Sequence, residues 1–220
     1  MSGLWEVLVR NFPQFLSGFV VTVQLVVAAF VVAVVIGVVV AGLRVQPLPP
    51  LRLVGTIYVE FFRNIPLLVL LFIAFAGLRR AGLDISRFAA GAGSLGLYTA
   101  AYVAEAIRSG VFAVGQGQID AALSLGFTYQ RTLRMIVLPQ AIRTVIPPLG
   151  NLMIAMIKNS AIIGVALALA DDLLKEARII NSRTFQTNEV FFWAAVGYLI
   201  LTVGTTFVVR YLERRLVIRR

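Results

Sequence analysis

From residue 25 to residue 43 the chain carries nothing more polar than glycine. At 1.5 Å rise per residue, a helix of that length reaches about 28 Å, close to the hydrocarbon thickness of a bilayer. A helix apolar on every side needs an apolar solvent around it, so this stretch is read as a membrane span. Composition agrees: 60% of the residues are hydrophobic, 14% are charged and mean hydropathy is +0.91, beyond the usual range of a soluble domain. A signal peptide would show a positive start, a short apolar core and a small-residue cleavage site, whereas Glu6 and Arg10 precede a much longer apolar run here. The segment is expected to remain as an anchor.

The residue inventory removes whole classes of chemistry. With no cysteine and no histidine, disulfides, thiol redox chemistry and the usual transition-metal ligands are excluded, leaving carboxylates alone for any metal. No metal site and no catalytic residue are expected. Glycine never precedes lysine in this sequence, so the lysine-bearing phosphate loop of ATPases is absent and no cofactor is expected in this chain. The net charge of +10 would suggest nucleic acid in a soluble protein, and its placement decides otherwise.

Five spans are predicted, at 15–43, 51–78, 88–114, 135–170 with a break, and 190–212, giving an all-α polytopic fold in one transmembrane domain, 1–220. Gln46-Pro47-Leu48-Pro49-Pro50 is a strong turn, because proline lacks the amide donor and biases its predecessor away from helix. The third span is weakly hydrophobic, rich in Gly, Ala and Ser, and carries Tyr98, Thr99, Tyr102 and Glu105; that composition suits protein neighbours, so it belongs inside the bundle. Loops on one side of these spans hold Arg44, Arg52, Arg108, Arg131, Arg134, Arg143, Arg210, Arg214, Arg215, Arg219 and Arg220. The other side holds Arg10, Arg79, Arg80, Arg87, Lys175, Arg178 and Arg183, with Arg63 and Lys158 inside spans. The richer side faces the cytoplasm by the positive-inside rule, which places the C-terminus and the 115–143 loop inside and the N-terminus outside. Acidic residues follow the same contrast, with Asp120 and Glu213 on the first side against Glu6, Asp84, Asp171, Asp172, Glu176 and Glu189 on the second. The basic tail 210–220 reads as a stop-transfer anchor beside anionic membrane lipid. No aromatic-interleaved basic domain supports nucleic-acid binding.

The polar loop between spans three and four is ordered in its chemistry. Gly115-Gln116-Gly117-Gln118 breaks the preceding span, Asp120 is expected in the first turn of a two-turn helix where a carboxylate complements the dipole, and Gly126 is a C-terminal stop. Ala121 and Ala122 allow another surface to approach, Leu123 and Leu125 offer apolar anchors, and Pro139 is expected to start the next helix. On composition alone an interfacial helix merely linking two spans serves equally well. The spacing distinguishes them: Asp120-Ala121-Ala122, three residues, Gly126, nine residues, then Ile136-Val137-Leu138-Pro139. This pattern resembles the cytoplasmic loop of the membrane-spanning subunits of bacterial ATP-binding-cassette importers. Glu105-Ala106-Ile107-Arg108-Ser109-Gly110 and Pro139-Gln140-Ala141-Ile142-Arg143 resemble the polar-amino-acid branch of that family. Asp120 departs from it, since glutamate is usual there.

The resemblance implies the type I importer fold and a permease moving a polar amino acid across the bacterial cytoplasmic membrane by alternating access. It also implies partners: a second permease chain, the same or similar, two ATP-binding subunits that hold ATP and Mg, and an extracytoplasmic amino-acid-binding protein. Asp120, Ala121, Ala122, Leu123 and Gly126 would seat in the ATPase and transmit its closure.

Within the spans, a charge at a helix centre costs about 2.5 to 3.5 kcal/mol on insertion scales, so each intramembrane charge needs an explanation. In Glu60-Phe61-Phe62-Arg63-Asn64-Ile65-Pro66, Glu60 and Arg63 can pair on one face and Pro66 kinks the helix. Lys158-Asn159-Ser160 is read as a second polar break. Two broken helices would line a mid-membrane cavity, with Arg63 and Lys158 meeting carboxylates and Asn64, Asn159 and Ser160 supplying hydrogen bonds to a zwitterion. The alternative is that both cations snorkel to an interface and Asn159 bonds a neighbouring helix. In members handling basic amino acids an acidic residue often follows the lysine of the second break. Asn159 stands there, which favours glutamate or glutamine. Glu105 and Arg108 are expected to pair structurally, Asp171-Asp172 with Lys175-Glu176 to form a solvated helix outside, and Gly204, Thr205 and Thr206 to be packing residues. A competing function is an ion-driven symporter or channel relaying charge through Glu60, Glu105 and the two cations; another is an assembly subunit that transports nothing.

Overall fold

A computed structural model describes residues 2–82, 85–167 and 171–216 of the chain. Asp84, Arg219, Arg220 and the end of the fourth expected span at 168–170 lie outside the described residues. Helix α1, Ser2–Val45, is followed by α2, Pro49–Asn64, α3, Leu67–Arg80, α4, Arg87–Phe112, α5, Gln116–Ser124, and α6, Tyr129–Thr132. A π-helical turn, Leu133–Val137, then leads into α7, Leu138–Leu167, before α8, Leu173–Thr184, and α9, Thr187–Leu216. The fold is all-helical, as expected.

The stretches 3–45, 129–164 and 187–215 are each long and apolar enough to cross a membrane. The pair α2 and α3 is together long and apolar enough for a fourth, broken at residues 65–66 and bent by 104°. Sequence reasoning predicts a kink there; the structure has a near right-angled corner. Pro66 forces its predecessor Ile65 into extended backbone (φ −93°, ψ 132°), which no continuous helix tolerates. Helix α4, expected as the third span, is not apolar enough to count as one by hydropathy and is held inside the bundle by packing. Its Ala92, Leu95, Val103 and Ala104 are buried, and it runs closely along α1, where Ala29 and Ala33 keep the two backbones near. The core joins Leu25 of α1, Leu71 of α3, Leu95 of α4, and Met156 and Ile163 of α7. Outward faces are apolar: Val27, Val31, Val35 and Val39 of α1 and Leu199, Ile200, Val203 and Phe207 of α9 are exposed. Such faces suit lipid, where no hydrophobic penalty attaches to them.

Helix α1 starts at Ser2 rather than near Phe15. The extra turns are held by tertiary contact, with Val7 and Phe15 packing on Leu173, Ala177 and Ile180 of α8 and on Val190 of α9. The Trp193 indole N–H donates to the Leu4 carbonyl at 2.7 Å, and Trp5 lies against Trp193 with ring centroids 5.2 Å apart. Amphipathic rings of this kind belong at a headgroup level. At the opposite end, Arg44 of α1 and Arg108 of α4 both bind Glu105, so these helix ends share a side, as the loop assignment requires. Val209 of α9 packs against Gly150 of α7.

Pro139 does not start a helix. The helix begins at Tyr129, where the Thr128 hydroxyl oxygen accepts the Arg131 N–H at 3.3 Å, and Pro139 lies inside continuous helical backbone. The π turn just before it absorbs the missing donor: the Leu138 N–H reaches back five residues to the Leu133 carbonyl. Helix α7 also runs unbroken through Lys158-Asn159-Ser160, contrary to the expected second break. Polar side chains alone do not unwind a helix, and neither proline nor glycine occurs there.

Candidate functional site

The 115–143 loop folds as a peg. Helix α5 begins at Gln116, so Asp120 lies in its second turn and not in the first. The carboxylate is held locally, accepting from the Gln116 side-chain amide at 3.0 Å, and charge complementarity with the helix N-terminus is therefore minor. The far end is fixed by a Schellman motif: the Phe127 N–H bonds the Ala122 carbonyl at 3.1 Å and the Gly126 N–H the Leu123 carbonyl at 3.0 Å. Gly126 has φ +83°, a left-handed conformation that any other residue adopts only with strain. The Gln140 side-chain amide ties the peg to α7 through the Gln118 side chain at 2.5 Å.

The face of the peg divides unequally. Ala122 is 2% exposed and packs on the chain's own body, so it seats α5 rather than meeting a visitor. Ala121 is exposed, Leu123 is 43% exposed and Leu125 79%. Tyr129 and Met135 of the same loop are exposed as well. A rigid, capped helix displaying aliphatic side chains in an otherwise polar loop is a shape for docking.

The second candidate region holds the charges within the spans. Glu60 does not pair with Arg63; its carboxylate instead accepts the Asn64 amide at 3.2 Å, which also donates to the Glu60 carbonyl at 2.7 Å. A residue four positions on stands directly over Glu60, whereas the Arg63 guanidinium is drawn to the Tyr102 ring of α4, 5.7 Å from its centroid. The Tyr102 and Tyr98 hydroxyls are 3.1 Å apart. Lys158 is exposed and Asn159 half-buried. Ser160 is fully buried, with its hydroxyl donating to the Ile157 carbonyl at 2.7 Å, so it does not face the same space as Lys158. The structure thus joins Arg63 and Asn64 at the α2 corner and leaves Lys158 and Asn159 on α7. None of the four clefts described in the single chain is lined by any of these five residues.

Sequence reasoning missed one polar centre. Asp172 is fully buried rather than solvated. It caps α8 by accepting the Lys175 N–H at 2.9 Å and takes a longer hydrogen bond from the Tyr198 hydroxyl at 3.3 Å, while the adjacent Leu173 N–H bonds Thr22 of α1 at 3.0 Å. A Cβ at Gly164 would collide with the Asp172 carboxylate, so α7 admits it only through a glycine. Burial pushes this carboxyl up to about 6 from its ordinary 3.8. An aspartate ahead of a helical run signals a cap in the sequence; burial against Tyr198 and Thr22 has no local signal. Asp171, by contrast, is exposed and pairs with Lys175, and Glu176 accepts the Gln14 side-chain amide at 2.6 Å. The expected Glu105–Arg108 pair is present at 2.5 Å, with Arg44 joining it at 2.5 Å.

Known proteins share this architecture. The model of the family described as "binding-protein-dependent transport system inner membrane component" matches residues 33–218. The chain is 45% identical over 211 residues to the probable glutamine ABC transporter permease protein GlnM of Bacillus subtilis (strain 168), covering 96% of this chain and 97% of that one. It is 40% identical over 215 residues to the glutamate transport system permease protein GluC of Corynebacterium efficiens, with 92% of each chain covered. A solved structure described as an amino acid ABC transporter with histidines superposes with TM-score 0.89 at 38% identity, covering 95% of this chain and 97% of that chain. These likenesses support the importer reading and not the ion-driven alternative.

Proposed function

The chain belongs to the binding-protein-dependent transport system inner membrane components, and on that premise we propose how its parts divide the work of an amino-acid importer. It is a membrane translocation subunit of an amino-acid ABC importer. Hydrolysis of ATP with Mg is assigned to two partner ATPases, and delivery of substrate to an extracytoplasmic binding protein. A second permease chain completes the pathway, because five crossings without an inverted internal repeat make only one half of a two-halved gate. The N-terminus lies outside and the C-terminus in the cytoplasm, which the arginine excess beside α5 supports.

The observation that carries this reading is the α5 peg, capped at its C-terminal end, tethered to α7 through Gln118 and apolar at its tip. Asp120, Ala121, Leu123 and Gly126 present it, Ala122 roots it, and ATPase closure levers the bundle between inward-facing and outward-facing states through it. Arg63, Asn64, Lys158 and Asn159 contribute to the substrate path, where the cations meet carboxylates and the amides supply directed hydrogen bonds, and Ser160 supports α7 from behind. Relatives named for glutamine and glutamate, together with Asn159 in place of an acid, favour an amide or acidic amino acid. Vesicles containing the chain, the ATPase and the binding protein should take up labelled glutamine or glutamate only when all three and ATP are present. Uptake driven by an imposed ion gradient without the ATPase would contradict the reading.

A further inference from the structure

Where α1 turns into α2, a cavity of about 610 Å³ is lined by three arginines, Arg44, Arg52 and Arg108, and by no acidic residue. Glu105 pairs with Arg44 and Arg108, so the cluster has one acid to three bases. The Arg44 side chain is only 11% exposed and shares the single Glu105 carboxylate with Arg108, so the cluster keeps a net positive charge that a counter-anion would offset. Arg52 is exposed and has no side-chain partner among the described residues. Its neighbours on α2, Leu51, Leu53, Val54 and Ile57, are exposed and apolar, which marks the level where hydrocarbon gives way to headgroups.

A second cleft of about 500 Å³ adjoins the first, sharing Val45, Gln46, Pro47, Phe112 and Tyr129 with it and continuing along a mainly apolar lining, Val111, Val114, Leu133 and Val137 with Gln116 and Thr132. The Phe112 and Tyr129 rings are exposed at the junction, and the Arg108 guanidinium stacks on Phe112 at 5.5 Å. A ligand fitting both clefts carries an anion on an apolar body. Guanidinium forks match phosphate oxygens in pairs, which neither a lone carboxylate nor a halide does as well. We propose that the paired cavity binds an anionic phospholipid, its phosphate between Arg44, Arg52 and Arg108 and an acyl chain in the adjoining cleft. A bound lipid would then brace the α1–α2 turn against the loop that carries the peg.

Native mass spectrometry of the full chain, released from micelles holding equal amounts of phosphatidylglycerol and phosphatidylcholine, tests this. Phosphatidylglycerol should be retained preferentially, Arg52→Gln should lower that retention about five-fold, and Arg52→Lys should keep most of it. Soluble glycerol phosphate should not compete. If Arg52→Gln does not insert, Phe112→Ala, which removes an exposed ring and no charge, should lower retention in its place. Equal retention of both lipids, unchanged retention in both variants, or full displacement by glycerol phosphate would overturn the assignment. So would an Arg52→Gln chain that keeps its lipid and loses copurification with the ATPase, since the basic surface would then belong to that partner.

Discussion

The α5 peg and the polar residues of the spans are built on opposite plans. The peg is finished within one chain: a capped end, a tethering glutamine and a glycine in left-handed backbone fix it before any partner arrives. Arg63, Asn64, Lys158 and Asn159 are unfinished, with one cation on a tyrosine ring, the other exposed, and the pair on separate helices. A lever has to be stiff when its motor pulls, whereas a gate has to be remade between states and between chains. On the proposed division of work, the contrast teaches that the coupling element would be a property of this polypeptide, while the substrate path would be a property of the assembly.

The contrast breaks most visibly at Gly126. Gly126→Asp forces a side chain into left-handed backbone at φ +83°, at a cost of about 1–2 kcal/mol in the cap alone. It should reduce ATP-coupled uptake to background while immunoblots show normal membrane insertion; Asp120→Lys, which reverses the charge beside Gln116, should act in the same direction. Wild-type uptake by both variants would show that the peg transmits nothing. Arg63→Ala comes next: if Arg63 serves the substrate path as proposed, binding-protein-dependent transport should be about ten-fold slower with unchanged copurification of the ATPase.

Much of the peg was legible because its determinants are local. Asp120 to Gly126 lie within a few turns, and glycine at a helix end has one dominant meaning. Its start is less legible, because Gly117 does not prevent helix from forming back to Gln116. The span chemistry was less legible. The sequence offers Glu60 beside Arg63 and a polar triplet at residues 158–160, yet side-chain reach gives Glu60 to Asn64, and α7 stays helical because polarity without proline leaves its backbone bonds intact. At Pro66 the same reasoning succeeded, since there the backbone itself is altered. The sequence alone leaves Asp172 solvated, because Tyr198, which bonds its carboxylate, and Thr22, which bonds the adjacent Leu173 N–H, come from other helices, Thr22 lying near the far end of the sequence.

That centre sharpens the comparison through pH. The folded-state carboxyl of Asp172 is raised from 3.8 to about 6, so the folded chain holds this proton more tightly than the unfolded chain does. Its contribution to stability is therefore greatest below the lower value and declines as pH rises through the window to about 6, by roughly 1–3 kcal/mol. Melting curves in detergent should show that slope, and Asp172→Asn, which keeps the cap and cannot ionise, should flatten it. A slope unchanged in Asp172→Asn would assign the titration elsewhere. The smallest effect is expected at the tip, where Leu125→Ser should weaken ATPase attachment by about 1–2 kcal/mol, read as a lower yield of copurified ATPase at high dilution, without altering the melting temperature.

The chain contains no cysteine, so one introduced thiol reports on one place. With Leu125→Cys in intact cells, the coupling account predicts no labelling by a membrane-impermeant maleimide from outside, and a specific crosslink from the same thiol to the ATPase subunit once the membranes are opened. External labelling, or a thiol that never reaches the ATPase in an actively transporting complex, would contradict it.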